Sequence, residues 1–297
     1  MTELSRIAFG SSGLEVTRLG LGAFPVGQDR VSEKEAERLL NGVLDAGVNL
    51  IDTARGYGLS EERIGRYLAH RRDEFILSTK VGYDVEGFDD WTQGAVEAGI
   101  ERALRILRTE VLDIVHLHSC SLDDLRAGGV LEGLSRSRQA GKIRFAAYSG
   151  ENQALDFAIA SGEFQSIQLS VNICDQRCID GALLAAGEKQ LGVIAKRPIA
   201  NVFWRFRDEP VGEYAQEYWL RAQSMQLSPP EGMDWLTFSL RFTAFTPGVH
   251  TCIVGTGSLE HFLENVRILK QGPLEPEIVQ RYRQLFRTHD AGWVGQG

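Results

Sequence analysis

No stretch of this sequence approaches the ~20 consecutive apolar residues that a membrane-spanning helix needs, and its opening, MTELSRIAFG, has no charged-then-apolar leader pattern. A cytoplasmic chain with no membrane partner is therefore the expectation. Cysteine is scarce, with four residues in 297, at Cys120, Cys174, Cys178 and Cys252. Cys174 and Cys178 lack the CxxC spacing of a zinc knuckle, so reduced, buried thiols are expected and a metal role is not. Positive charge is also in deficit: 32 Lys and Arg against 40 Asp and Glu give a net charge of −8. This excludes the broad basic surface that nucleic-acid binding requires, while leaving room for a local basic pocket. Ordinary proportions of hydrophobic (43%) and charged (24%) residues argue for a folded chain.

What is present is an alternation of two periodicities. SEKEAERLLNGVLDAG sets Ala36, Leu39, Leu40, Val43 and Leu44 on one helical stripe, with Ser32 and Glu35 at capping-box spacing and Gly47 suited to the exit. VNLID (48–52) reads as a buried strand, and SEERIGRYL restarts a helix with Ser60 as its cap. Further strands are predicted at residues 17–24, 74–80, 111–118, 143–149, 166–171, 192–196 and 249–254, eight in all. Helical patterns separate them, such as Val96, Ile100, Ala103, Leu104 and Leu107. Repeated strand and helix units of this number predict one closed (β/α)₈ TIM barrel spanning residues 1–297, with an N-terminal hairpin and an extra helix over 274–288. A doubly wound open sheet competes, but no GxGxxG follows the first strand. Residues 200–232 form the one long connection, and loops of that length are functional or disordered.

In a barrel, chemistry belongs at the carboxyl ends of the strands. Asp52, Lys80, His118, Ser149, Lys196 and Arg197 fall there, and Gln168 lies within the sixth strand. LDIVHLHSC raises a separate question: His116 and His118 share a face of their strand. They read as a metal pair, as one catalytic histidine beside a structural one, or as two packing residues. A metal site would need further His or carboxylate ligands at other strand ends, and none is obvious.

DTARGYGLSEERIG, STKVG and DIVHLHS together resemble the aldo-keto reductase superfamily, and the likeness runs in order through nearly the whole chain. The resemblance implies a catalytic tetrad of Asp52, Tyr57, Lys80 and His118, with His116 a structural bystander one layer deeper. In that scheme Tyr57 gives a proton to a carbonyl that has received hydride, Lys80 stabilises the phenolate, Asp52 keeps Lys80 charged despite burial, and His118 orients the substrate.

The resemblance also implies a nicotinamide cofactor, since no side chain donates hydride. Gly22 and Ala23 end the first strand beside it. Ser149 and Gln168 match residues that hold the carboxamide, with Gly150 where the family has asparagine. Lys196, with Arg197 beside it, stands where an aromatic residue often stacks on nicotinamide. Gly255, Thr256, Gly257 and Ser258 open a helix suited to a phosphate, and Glu264 and Asn265 match the pair at the adenine end. NADP(H) is favoured on the tendency of the resembling family, with Thr256, Ser258 and His261 as its phosphate partners, whereas Gly255 and His261 replace the lysine and arginine that some members place on the 2′-phosphate and keep NAD(H) as the alternative. Phe24, Trp91 and Trp204 join Tyr57 and His118 as expected substrate contacts. The implied activity is reduction of a small aldehyde or ketone, or oxidation of a sugar or alcohol. Two alternatives are a non-catalytic nicotinamide-binding redox-sensing subunit and a barrel metallohydrolase using His116 and His118.

Overall fold

The computed structural model describes residues 4–296. Ten strands occur among the described residues. Arg6–Ala8 (β1) and Glu15–Thr17 (β2) pair antiparallel; then follow Leu19–Gly22 (β3), Leu50–Asp52 (β4), Ile76–Val81 (β5), Leu112–His118 (β6), Ile143–Ser149 (β7), Ser166–Ser170 (β8), Gly192–Lys196 (β9) and Thr251–Gly255 (β10). β3 to β10 are all parallel and close into a barrel in sequence order, with β10 returning to β3.

Alternation along the strands explains the layering. Val115 and Leu117 point outward into the core shared with the helices, while Ile114 points inward with Leu50, Ile76, Ala147, Ile194 and Ile253. The hairpin inserts Phe9 and Val16 beneath this inner apolar layer and plugs the amino end of the barrel. Gly192 makes the plug possible, because a Cβ there would stand 2.3 Å from the Phe9 ring. Above that layer the interior turns polar, at Asp52, Ser78, Lys80, His116 and Gln168, all buried.

The first helix, Glu33–Asp45, carries the complete Ser32–Glu35 capping box and buries the expected apolar stripe. Ser60 departs from its expected role. It is the first residue of helix Ser60–Leu68 and accepts no capping bond, and its hydroxyl is buried 2.8 Å from that of Thr53. The long connection is also more ordered than its composition suggests. A 3₁₀ turn, Ala200–Arg205, and a helix, Gln216–Ser224, cross it before helix Trp235–Ala244. With the terminal helix, Pro276–His289, they enclose a second small core around Phe203, Tyr218, Phe238 and Phe286. Among the described residues no helix is long and apolar enough to cross a membrane.

Candidate active site

Asp52 stands at the carboxyl end of β4 and is fully buried, yet it meets three donors. Lys80 Nζ lies 2.5 Å from Oδ2, while Ser78 Oγ and Gln168 Nε2 donate to Oδ1 at 2.8 and 2.9 Å. Burial would raise the carboxyl pKa, but the Lys80 charge, the neighbouring His116 and the bonds from Lys80 and Ser78 bring it below its ordinary value. Burial likewise pulls on Lys80, and the Asp52 carboxylate together with Tyr57 more than offsets it, so its ammonium is held above its usual range. The same Nζ donates to the Thr53 carbonyl at 2.8 Å and lies 4.7 Å from the centre of the Tyr57 ring. Cation, carboxylate and phenol thus form one column at the carboxyl end of the barrel.

The histidine pair separates into two environments. His116 is buried with Nε2 3.1 Å from Ser78 Oγ, and burial pulls its pKa to about 3. His118 is half-buried, its ring 6.1 Å from that of Tyr57 and nearly perpendicular to it. Burial, then the Lys80 and Lys196 charges, lower its pKa to about 3, so it works as a neutral imidazole. Among the described residues no three His, Cys, Asp or Glu side chains gather as a metal site.

A cavity of about 730 Å³ opens over this column. Gly22, Phe24, Asp52, Tyr57, His118, Ser149, Gln168, Lys196, Arg197 and Gly255 line it, together with residues not expected from the sequence: Pro25, Ser119, Asn201, Val202 and Tyr214 among them. Ser149 Oγ donates to Gln168 Oε1 at 2.9 Å, and Gln168 in turn donates to Asp52. Lys196 sits 3.4 Å from Glu151 and burial pulls its pKa to about 8. Arg197 donates to Ser170 Oγ at 2.9 Å and to the Gln296 carbonyl at 2.6 Å, and its guanidinium lies 4.7 Å over the Tyr214 ring. The wall beyond is an unusual turn in which Ala200, Asn201 and Val202 all have φ between 45° and 54°. Left-handed backbone at a β-branched residue is strained, a feature that clusters at functional sites.

Several expected contacts lie elsewhere. Trp204 does not line the cavity; it stacks on Trp235 at 5.5 Å in the second core. Trp91 is also absent from the lining and packs against Tyr83 and over Gly82. Lys80 and Ala23 are buried beneath the cavity surface. Gly150 lies behind it, where a Cβ would stand 2.4 Å from the Tyr148 hydroxyl, so the asparagine of the resembling family has no room here. Thr256, Gly257, Ser258, His261, Glu264 and Asn265 continue from Gly255 around the start of helix Leu259–Leu269, outside the cavity lining. Ser258 caps that helix by accepting from the His261 amide. Asn265 is 3% exposed, and its Oδ1 meets no donor among the described residues. An orphaned acceptor of this kind suits an exocyclic amine such as that of adenine.

A second cavity of about 790 Å³ lies at the opposite, amino end. Two of its arginines, Arg72 and Arg144, pair with its own carboxylate Asp113. That end of a barrel serves stability.

These features match known proteins in both sequence and structure. Residues 18–287 fit the sequence profile of the Aldo/keto reductase family. An uncharacterised oxidoreductase of Bacillus subtilis, YqkF, is 23% identical over 292 residues, covering 91% of this chain and 93% of its own. L-galactose dehydrogenase of Arabidopsis thaliana is 26% identical over 283 residues, covering 90% and 88%. The holo form of an aldo-keto reductase from Bacillus halodurans superposes with a TM-score of 0.84 at 27% identity, over 95% of this chain and 96% of that one. With nearly the whole chain matched and the same closed parallel barrel, the protein is an oxidoreductase that belongs to the aldo/keto reductase family.

Proposed function

We propose that this protein transfers hydride between a nicotinamide cofactor and a small aldehyde or ketone, or in reverse a sugar or alcohol, with Tyr57 as general acid and base. The observation that carries the reading is Lys80, held between Asp52 at 2.5 Å and the Tyr57 ring at 4.7 Å under a cavity that His118 also lines. A bound nicotinamide supplies the hydride to the carbonyl carbon. The chain supplies the rest. Tyr57 gives its proton to the oxygen as negative charge develops there, and the Lys80 ammonium stabilises the phenolate left behind. Asp52 keeps that ammonium charged in a buried site. His118, as a neutral imidazole, donates a hydrogen bond that fixes the carbonyl oxygen.

The residues suited to hold the cofactor begin with Ser149 and Gln168 for the carboxamide, beside Gly22, Ala23 and Gly150. Lys196 and Arg197 suit the pyrophosphate, and Gly255 to Ser258 with His261 suit the adenosine phosphate. Glu264 and Asn265 suit the adenine, where the unsatisfied Asn265 Oδ1 agrees with the assignment. NADP(H) is favoured, with Thr256, Ser258 and His261 as its phosphate partners; the absence of lysine at 255 and arginine at 261 keeps NAD(H) as the alternative. The sugar substrate named for the L-galactose dehydrogenase relative supports testing aldoses first.

Nicotinamide absorbance followed in both directions against aldehydes, ketones and sugars, with NADP(H) and NAD(H) side by side, tests the reading. Turnover that Tyr57→Phe lowers on the order of 10²- to 10⁴-fold is expected. Tight cofactor binding without turnover on any carbonyl would favour a redox-sensing subunit and overturn the proposal.

A further inference from the structure

A second phenol stands at the site, and the tetrad does not account for it. Tyr83 follows β5, and its hydroxyl lies 3.0 Å from Nδ1 of His118, with ring centres 5.5 Å apart. We propose that Tyr83 is a positioning residue: its hydroxyl donates to Nδ1 and so holds His118 in the tautomer and orientation that present Nε2–H to the substrate oxygen. The inference rests on the reductase reading above.

The direction of the bond follows from what each partner can do. His118 is neutral, so one of its nitrogens carries hydrogen and the other a lone pair. Were Nδ1 the protonated nitrogen, Nε2 would turn a lone pair toward a carbonyl oxygen, acceptor against acceptor. Tyr83 is able to donate, because burial, then the neighbouring Tyr57, raise its pKa and keep the phenol protonated. With Nδ1 engaged as acceptor, Nε2 is the nitrogen left to donate to a substrate.

The surroundings are built to hold that hydroxyl in place. On one side is Gly56, next to the proposed acid, where a Cβ would stand 2.7 Å from the Tyr83 oxygen. On the other side Trp91 packs at 5.6 Å between ring centres. Trp91 is itself fixed, with φ at 59° and its amide donating to the Gly82 carbonyl at 2.7 Å. Gly82 has φ at 127°, and a Cβ on it would stand 2.3 Å from the Trp91 ring. Two glycines and a strained tryptophan thus leave one position for one phenol. Trp91 reaches the chemistry through Tyr83, without touching the cavity.

Tyr83→Phe keeps the ring and removes the donor. Nitrogen NMR of ¹⁵N-histidine-labelled protein reads the tautomer of His118 without turnover, and steady-state kinetics read its consequence. In the native protein a single tautomer with hydrogen on Nε2 is expected. In Tyr83→Phe a mixture is expected, with kcat/KM lowered roughly tenfold, as for loss of one orienting hydrogen bond. On a His118→Ala background the same change should have no further effect. An unchanged tautomer, an unchanged kcat/KM, or an equal loss without His118 would each overturn the proposal. If the native protein reduces no carbonyl, the reductase reading fails, while the nitrogen spectra still decide whether Tyr83 sets the tautomer.

Discussion

Three donors converge on Asp52, from β5 twice and from β8, and the fourth neighbour, His116, is tied to the same Ser78 hydroxyl. Removing one member therefore leaves its partner short of a bond in a buried interior. Lys80→Met strips the carboxylate of its counter-charge and is expected to cost about 3–5 kcal/mol, the usual penalty for a broken buried pair; urea denaturation measures it. Tyr57→Phe removes no buried charge. It should leave stability within about 1 kcal/mol of native, keep cofactor affinity by fluorescence titration, and lower kcat on the order of 10²- to 10⁴-fold. Full activity in that variant would retire Tyr57 as the proton donor. At this scale the sequence was legible wherever strand alternation governed direction: His116 and His118 do share the inner face. It expected Trp91 and Trp204 at the substrate, and the structure places both outside the cavity lining, because loop side chains take their direction from the turn that carries them, here left-handed at Trp91.

Among the elements, the 3₁₀ turn Pro25–Gly27 is pressed against the loop that bears Tyr57. A Cβ on Gly27 would stand 1.6 Å from the Tyr57 carbonyl oxygen, and the Gly27 carbonyl accepts from the Leu59 amide at 3.1 Å. Backbone meets backbone there, so neither side can yield by a change of rotamer. Gly27→Ala is expected to destabilise by about 1–3 kcal/mol, as overpacking does, and to depress kcat on the order of 10²-fold by displacing the phenol. Native kinetics in that variant would show that the loop tolerates the shift. The segment from 200 to 232 was the least legible element. Helix Gln216–Ser224 buries Tyr218 and Ala222 against Phe238, Tyr282 and Phe286, partners at distant positions that no local periodicity exposes. Gly150 is a smaller instance: its departure from the family pattern is visible in sequence, but its reason, the Tyr148 hydroxyl bonded to the Cys120 carbonyl at 2.9 Å, is not.

For the molecule as a whole, the barrel was readable because each strand and helix repeats one pattern and only one closed arrangement satisfies eight of them. Its polar interior predicts how stability responds to acid. His116 and His118 sit at about 3, chiefly through burial, whereas an unfolded histidine titrates near ~6.5. Between those values the unfolded chain binds the extra protons. Stability therefore falls as pH drops from about 6.5 toward 3, by up to ~1.4 kcal/mol per pH unit for each imidazole. Asp52 adds to this with the same sign: its folded pKa is below the unfolded one, and its contribution fades as pH falls through the folded value. Urea midpoints taken between about pH 4 and 7 should show the slope, and His116→Asn should flatten it; parallel curves would exclude His116 as a source.

The amide of Gln168 has one more implication. It bonds Ser149 through its oxygen and Asp52 through its nitrogen, so a single side chain ties β7 to β4 across the interior. On the reading proposed above, exchanging that glutamine to alter coenzyme binding would also slacken the carboxylate that pairs with the Lys80 ammonium, and proton transfer should falter alongside recognition. On the proposed reading, redesign is better begun among residues 256 to 265, which lie outside the cavity lining.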